Sequence, residues 1–471
     1  MTADPVAAAG AVDPRTRRLL EGPIVPTLLK LAAPNLVLLL VQSSIGLIEA
    51  YWVGKLGTDA QAGVALVFPA LMLMQMMSAG AMGGGISSAI ARAIGAKRHD
   101  DANALVIHAL IIATALGITF SVIMLTAGRA LYTLMGGHDV TLEAALTYSN
   151  LLFAGIVLLW IFNALASVLR GTGNMALPAI VTTAGAVLVI PLSPLLIFGW
   201  GPFPRMGVAG GAAAVVLYYA GAIPFLARAV WSGRNVVRPV LRGTRIRSDL
   251  LYEILRVGLV AAAITVTTNL TVALTTGIVG RAGSEAIAGY GIGSRLEYLL
   301  IPLAFSLGAP LVAIVGTCIG AGKPERALRA AWLGAAIAGA VAELVGLAAA
   351  CYPAGWMTLF SADAAVVAHG SQYLRIVGPF YGFFGVGMVL YFASQGAGRL
   401  AWPLVAGVSR LGVAGAGGWL AYEWTRELPA VFAALGVALA VFGAIIAGAV
   451  ALGAWQAPRG TPRIPSVRSN T

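Results

Sequence analysis

Twelve stretches of about 20 or more mostly apolar residues, separated by short polar connections, constrain this chain more than any other feature. A helix crossing the ~30 Å hydrocarbon core needs ~20 such residues at ~1.5 Å rise each. The runs fall near 27–53, 60–88, 104–127, 146–168, 176–199 and 208–230, then near 252–279, 286–315, 328–351, 369–393, 402–422 and 429–455. Backbone groups find no water in lipid, so spans of this length fold as helices. Only 10% of the 471 residues are charged, too few to cover a water-facing surface. The 59 glycines suit helices that associate by close backbone approach. The fold class is all-α integral membrane, with about twelve transmembrane helices.

The net charge of +12 is explained by its distribution. With both termini in the cytoplasm, about 22 of the 30 Lys/Arg residues fall on the cytoplasmic side. Lys55, Arg129, Arg205, Arg281 and Arg426 fall outside, and Arg295, Arg375 and Arg410 lie within spans. The basic balance is thus a topology signal whose counter-charge is anionic lipid, not nucleic acid. Arg15, Arg17 and Arg18 precede the first run with no short apolar core before them, which reads as a retained signal-anchor helix. Cys318 and Cys351 fall near opposite faces, against a disulfide, and no Cys/His spacing suggests a metal site.

The two sets of runs repeat. VGKLGTDAQAG (53–63) matches VGRAGSEAIAG (279–289) at an offset of 226. AIGAKRHDDA (93–102) matches CIGAGKPERA (318–327), and RGTGNMALP (170–178) matches QGAGRLAWP (395–403), both at 225. Six helices per half give both halves one orientation, related by an axis along the membrane normal with the substrate site between them. The expected organisation is a cytoplasmic tail 1–25, a six-helix bundle 26–230, a basic cytoplasmic linker 231–249, a second six-helix bundle 250–456 and a cytoplasmic tail 457–471. The glycine loops GAKRHD and GAGKPE follow no strand and do not match GxxxxGK[ST], so they read as turns rather than phosphate loops. No ATP-binding motif is present.

These motifs, in this order from about Gly22 to Gln456, resemble the multidrug and toxic compound extrusion (MATE) family. They are Glu49 with Val53–Gly57, the loops at Gly95 and Gly320, and the segments Gly171–Pro178 and Gly396–Pro403. The resemblance implies two pseudo-symmetric bundles in a V that opens alternately to each side. It implies secondary export of cationic or amphipathic small molecules in exchange for protons, with sodium as the alternative ion and no other cofactor. The partners it implies are small cationic substrates and membrane lipids; the expected state is a monomer in the bacterial inner membrane. The chain departs from the family pattern in places. The first-helix acid, commonly Asp, is Glu49, and Val189 and Ser193 replace the Asn and Asp of N-x-x-x-D-P in the fifth helix. Thr267, Thr268 and Asn269 stand where some branches carry a seventh-helix Glu, and no acid occupies the tenth.

Carboxylates within spans are few: Glu49, Glu297 and Glu343, with Glu423 at a helix end. A charge near the bilayer centre costs ~2.5–3.5 kcal/mol and marks a functional candidate. Desolvation disfavours the charged form of such a carboxylate, which lets it carry a proton. Glu49 lies five residues before Gly54, about 7.5 Å in from the helix end, with Gln42 on the same face. Glu49 and Glu297 are the candidate coupling residues. Arg295 is two residues from Glu297, the wrong spacing for a same-helix pair, so a partner on another helix is expected. Glu343 reads as a locally hydrogen-bonded carboxylate. Candidate cavity residues are Gln42, Tyr51, Gln75, Asn163 and Ser193 in the first half, and Asn269, Tyr298, Tyr381 and Gln395 in the second. Met72, Met74, Met76 and Met77 suit a permissive cavity wall. Pro34, on the helix of Glu49, is the candidate hinge.

Two other readings compete. A flippase for lipid-linked sugars or cell-wall precursors would place several cations in the central cavity; the sequence offers only Arg295, Arg375 and Arg410 within spans, all in the second half. An intramembrane enzyme would need a nucleophile–base pair or ligand cluster inside the spans, and the sequence shows none.

Overall fold

A computed structural model describes the protein over residues 13–233, 235–240 and 245–455; the side chains of residues 39–50 lie outside the described set. Every regular element among the described residues is helical. A short surface helix, Pro14–Glu21, comes first. The first half follows as α1 (Ile24–Gly54), α2 (Thr58–Gly95), α3 (His99–Leu134), α4 (Asp139–Gly171), α5 (Ala176–Phe198) and α6 (Val208–Trp231). The second half is α7 (Ser248–Gly280), α8 (Ser284–Gly320), α9 (Pro324–Cys351), α10 (Ala364–Ala397), α11 (Ala401–Thr425) and α12 (Leu428–Ala451). Ten of these are long and apolar enough to cross a membrane, and α4, bent by 47° at Gly155, makes an eleventh. The twelfth, α1, is 31 residues long and runs unbroken through Pro34. Several helices outlast their apolar runs: α3 has 36 residues, about 54 Å. Outward-facing side chains are apolar, with Leu188, Phe225 and Leu344 each about two-thirds exposed, as a lipid-facing surface requires.

The sequence repeat is a packing repeat. A Cβ built on Gly63 of α2 would stand 2.8 Å from the Ala145 nitrogen of α4; one on Gly289 of α8 would stand 2.8 Å from the Gly370 nitrogen of α10. Gly171 meets the Ser87 carbonyl at 2.8 Å and Gly396 meets the Val312 carbonyl at 2.7 Å in the same way. Each glycine lets two helices of its own half touch backbone to backbone. The fourth helix of each half also breaks at one equivalent place: Gly155 in α4, and the 3₁₀ turn Gly378–Phe380 in α10, which Pro379 opens. Two large cores result, one around Ile86, Leu105 and Trp160, the other around Leu311, Phe384 and Phe432. Leu28 and Ala32, from the first turns of α1, join the second core.

The halves meet at the end that carries the basic loops. There α2 and α8 cross with matched contacts. A Cβ on Gly95 would lie 2.9 Å from the Thr317 carbonyl carbon, and one on Gly320 would lie 2.9 Å from that of Arg92. Both the glycines and the carbonyls they face are 225 residues apart, so the crossing sits on the pseudo-two-fold axis. Ser88 Oγ donates to the Gln395 carbonyl at 2.5 Å, and Gln395 Nε2 donates to the carbonyls of Gly80 (3.2 Å) and Ala81 (3.3 Å). Arg92 pairs with Glu253 of α7 at 3.4 Å. The helix Pro14–Glu21 straps this seam: Leu19 is buried against Gly173, and Arg326 donates to the Leu19 carbonyl at 3.1 Å.

Candidate functional site

Beyond the seam a cavity of about 270 Å³ lies between the halves. Asn35, Gln75 and Met76 wall it on one side, and Thr268, Phe305 and Tyr391 on the other. In the first half a polar thread runs behind this wall. Asn163 of α4 donates through Nδ2 to Ser78 Oγ at 2.8 Å, and Ser78 sits in the π-helical turn Met76–Met82 of α2. Ser193 of α5 is buried with its hydroxyl unpartnered. Glu49 and Gln42 belong to α1, but their side chains lie outside the described residues.

The second half holds a defined carboxylate site. Glu297 of α8 accepts from Arg410 Nη2 of α11 at 2.8 Å and from the Tyr373 hydroxyl of α10 at 3.2 Å. The partner is thus on another helix; Arg295 instead lies 5.5 Å from the Phe360 ring centroid. The Arg410 guanidinium is held over two rings, 5.2 Å from the Phe384 centroid and 5.7 Å from that of Phe442. Thr271, Thr275, Ser294 and Tyr298 surround the pair, and the Thr275 hydroxyl has no partner. Thr268, Ile301 and Phe384 line both this pocket and the central cavity, so the carboxylate sits one side chain away from it.

This layout of two repeated bundles around a central cavity has a family. A family model described as MatE matches residues 34–195 and again 261–419, one match in each half. The chain belongs to the MatE family. Among its relatives, the FAD transporter of Shewanella oneidensis is 27% identical over 394 residues, covering 83% of this chain and 87% of that protein. The probable multidrug resistance protein YoeA of Bacillus subtilis is 26% identical over 410 residues, covering 85% and 84%. An outward-facing multidrug resistance MATE transporter of the MOP superfamily superposes with a TM-score of 0.84 at 25% identity, over 94% of this chain and 99% of that one. A MATE structure in a bent conformation gives 0.85 at the same identity and coverage. This MatE protein is therefore a multi-pass membrane transporter.

The remaining candidates are dispersed. Tyr51 is 57% exposed near the far end of α1, with Lys55 Nζ 5.2 Å from its ring centroid. Asn269 is exposed and donates to the Thr265 carbonyl of its own helix at 2.9 Å. Tyr381 is fully buried in the second core. Gln395 is fully buried in the seam. Glu343 accepts the Gly382 backbone N–H at 2.8 Å, and Glu423 pairs with Arg281 at 2.5 Å. Met76 lines the cavity, whereas Met74 is buried in the first core. Arg92 and Arg170 fall among the basic residues counted on the cytoplasmic side, outside the apolar runs. Both side chains lie in the seam between the halves.

Proposed function

We propose that this MatE transporter is a secondary exporter that takes amphipathic small molecules from the cytoplasm and releases them outside in exchange for protons. It needs no ATP and works as a monomer in the bacterial inner membrane. The charge of the basic loops supports a cytoplasmic closed end, and with that orientation the arrangement is the outward-facing one. The observation that carries the proposal is the Glu297–Arg410 pair sharing Thr268, Ile301 and Phe384 with the central cavity.

A proton on Glu297 removes the countercharge of Arg410. The guanidinium rests on Phe384 and Phe442, and both rings also line the cavity. Proton arrival is therefore felt as a change in the wall where cargo sits. Linkage makes this reciprocal: the affinity that the proton takes from the cargo, the cargo takes from the proton. Glu49 on α1 is the second proton carrier of the scheme. Aromatic and methionine side chains in the cavity suit cargoes of varied shape. Multidrug names among the relatives support broad cargo, while one is an FAD transporter, so family membership does not itself fix the charge of the cargo.

The test is Glu297→Gln in proteoliposomes. A gradient of 100 mV is worth ~2.3 kcal/mol per charge, or about 50-fold accumulation. Wild type should show that proton-driven accumulation; the Gln variant should lose it and keep exchange down the cargo's own gradient. Full proton-driven accumulation by the variant would remove Glu297 from the mechanism.

A further inference from the structure

The seam encloses a positive charge that the scheme above does not use. Arg170, in the last turn of α4, is part-buried in a small space with Gly83 and Gly84 of α2, Phe305 of α8 and Gln395 of α10. Its Nη2 donates to Ser167 Oγ of its own helix at 2.8 Å, and its guanidinium carbon lies 5.8 Å from the Phe305 centroid. Among the described residues no carboxylate pairs with it. Glu253 is engaged by Arg92 and Arg98, and Asp101 by Arg98 and Arg247. Glu49 stands 14 residues beyond Asn35 on α1, about 21 Å along the helix from that part of the cavity wall.

The fold does not require a cation here. The equivalent position 225 residues later is Gln395, which faces the same space and bridges the halves with a neutral amide. A guanidinium held inside a membrane bundle without a countercharge is costly, and its presence in this seam points to a ligand. Phe305 lines both the Arg170 space and the central cavity, as do Gly80 and Phe392. No Asp or Glu is among the described residues that line the central cavity.

We propose that Arg170 is the charge-reading contact for cargo, and that the cargo is an amphipathic organic anion: an aromatic ring system bearing a phosphate or carboxylate group. The planar guanidinium matches such groups with two parallel hydrogen bonds, and Phe305, Tyr391 and Phe392 offer the ring system aromatic contact. This argues against the cationic cargo that the family resemblance implies. The inference rests on the exporter reading and adds a direction to it. With the seam closed Arg170 is covered; parting of α2 from α8 and α10 uncovers it on the basic side. An anion loaded there loses its arginine when Gly84, Ser88 and Gln395 come together again, so closure itself drives release to the opposite side.

The test uses three probes with one ring and different charge: naphthylmethyl phosphate, naphthylmethanol and naphthylmethyl-trimethylammonium. Equilibrium binding is measured to the full chain in nanodiscs of uncharged lipid. Wild type should bind the phosphate at least ~10-fold tighter than the ammonium, about 1.4 kcal/mol. Arg170→Gln, which copies the residue of the other half, should bring the phosphate down to the level of the alcohol and leave alcohol binding unchanged. Gly95→Ala, which disfavours the closed seam, should tighten phosphate binding. Equal binding of phosphate and ammonium by wild type, or an intact phosphate preference in Arg170→Gln, would overturn the proposal. If Arg170→Gln also loses alcohol binding, Arg170→Lys decides: a kept phosphate preference supports the assignment, and a lost one with alcohol binding intact overturns it. Anion-selective binding without gradient-driven movement in vesicles would sink the exporter reading alone; movement with charge-blind binding would sink the Arg170 assignment alone.

Discussion

Replacing Gly95 by Ala should shift the protein from its closed seam toward an arrangement open at the basic end. The added Cβ would lie 2.9 Å from the Thr317 carbonyl carbon, and nearer still to its oxygen. Carbon pairs sit best at ~3.5–4.0 Å, so α2 and α8 must part by more than half an ångström at their crossing. The atom in the way is backbone, which cannot rotate aside. Overpacking of this kind costs ~1–3 kcal/mol. Opening separates Gly95 from Thr317, so the cost falls on the closed state alone. The closed-to-open ratio should then drop by roughly 5- to 150-fold. Gly320→Ala meets the Arg92 carbonyl with the same geometry and should act alike. Spin labels on the exposed Lys97 and Lys323, in a background lacking Cys318 and Cys351, report the separation. Electron–electron resonance should show the distance distribution moving to longer values in either alanine variant. An unchanged distribution in a folded, monodisperse protein would refute the idea that this crossing is the closure.

Three further outcomes follow from the geometry. Glu297→Ala should cost ~3–5 kcal/mol by leaving Arg410 buried and unpaired, and adding Arg410→Met should restore most of the thermal stability; equal melting of the single and double variants would show that the pair is not coupled. Glu49→Gln should abolish proton-coupled export while the protein still inserts and elutes as a single species, and Glu49→Asp should keep part of the activity; wild-type coupled transport by the Gln variant would make Glu49 structural. A single cysteine at Ser232, an exposed position after α6, should react with an impermeant maleimide only from the cytoplasm; labelling of intact cells from outside would invert the topology.

Much of the fold was legible because the membrane leaves a short menu. Apolar runs of spanning length mark helices, and the offset of 225 residues marks the repeat that the glycine contacts realise in space. The same logic singles out Glu297 as a candidate, since a carboxylate inside a span stands out against hydrocarbon. Its partner Arg410 was one of three embedded arginines, and only the crossing of α8 with α11 singles it out. Faces were harder to read. Among apolar neighbours on every side, the position of Tyr51 on α1 does not show which way its ring turns, and it proved exposed beside Lys55. Arg170 stands in a motif that ends a helix, which reads as loop chemistry, and Gln395, expected in the cavity wall, is buried in the seam. That the helix ends of the two halves cross there, turning both residues into seam groups, is a tertiary fact with no local signature.

Export powered by protons is read out by movement of a fluorescent amphipath in proteoliposomes under pH and sodium gradients imposed one at a time. The dye should accumulate against its own gradient when the pH gradient alone is present, and this accumulation should collapse on adding a protonophore. Accumulation that ignores the pH gradient and follows sodium would contradict proton-powered export.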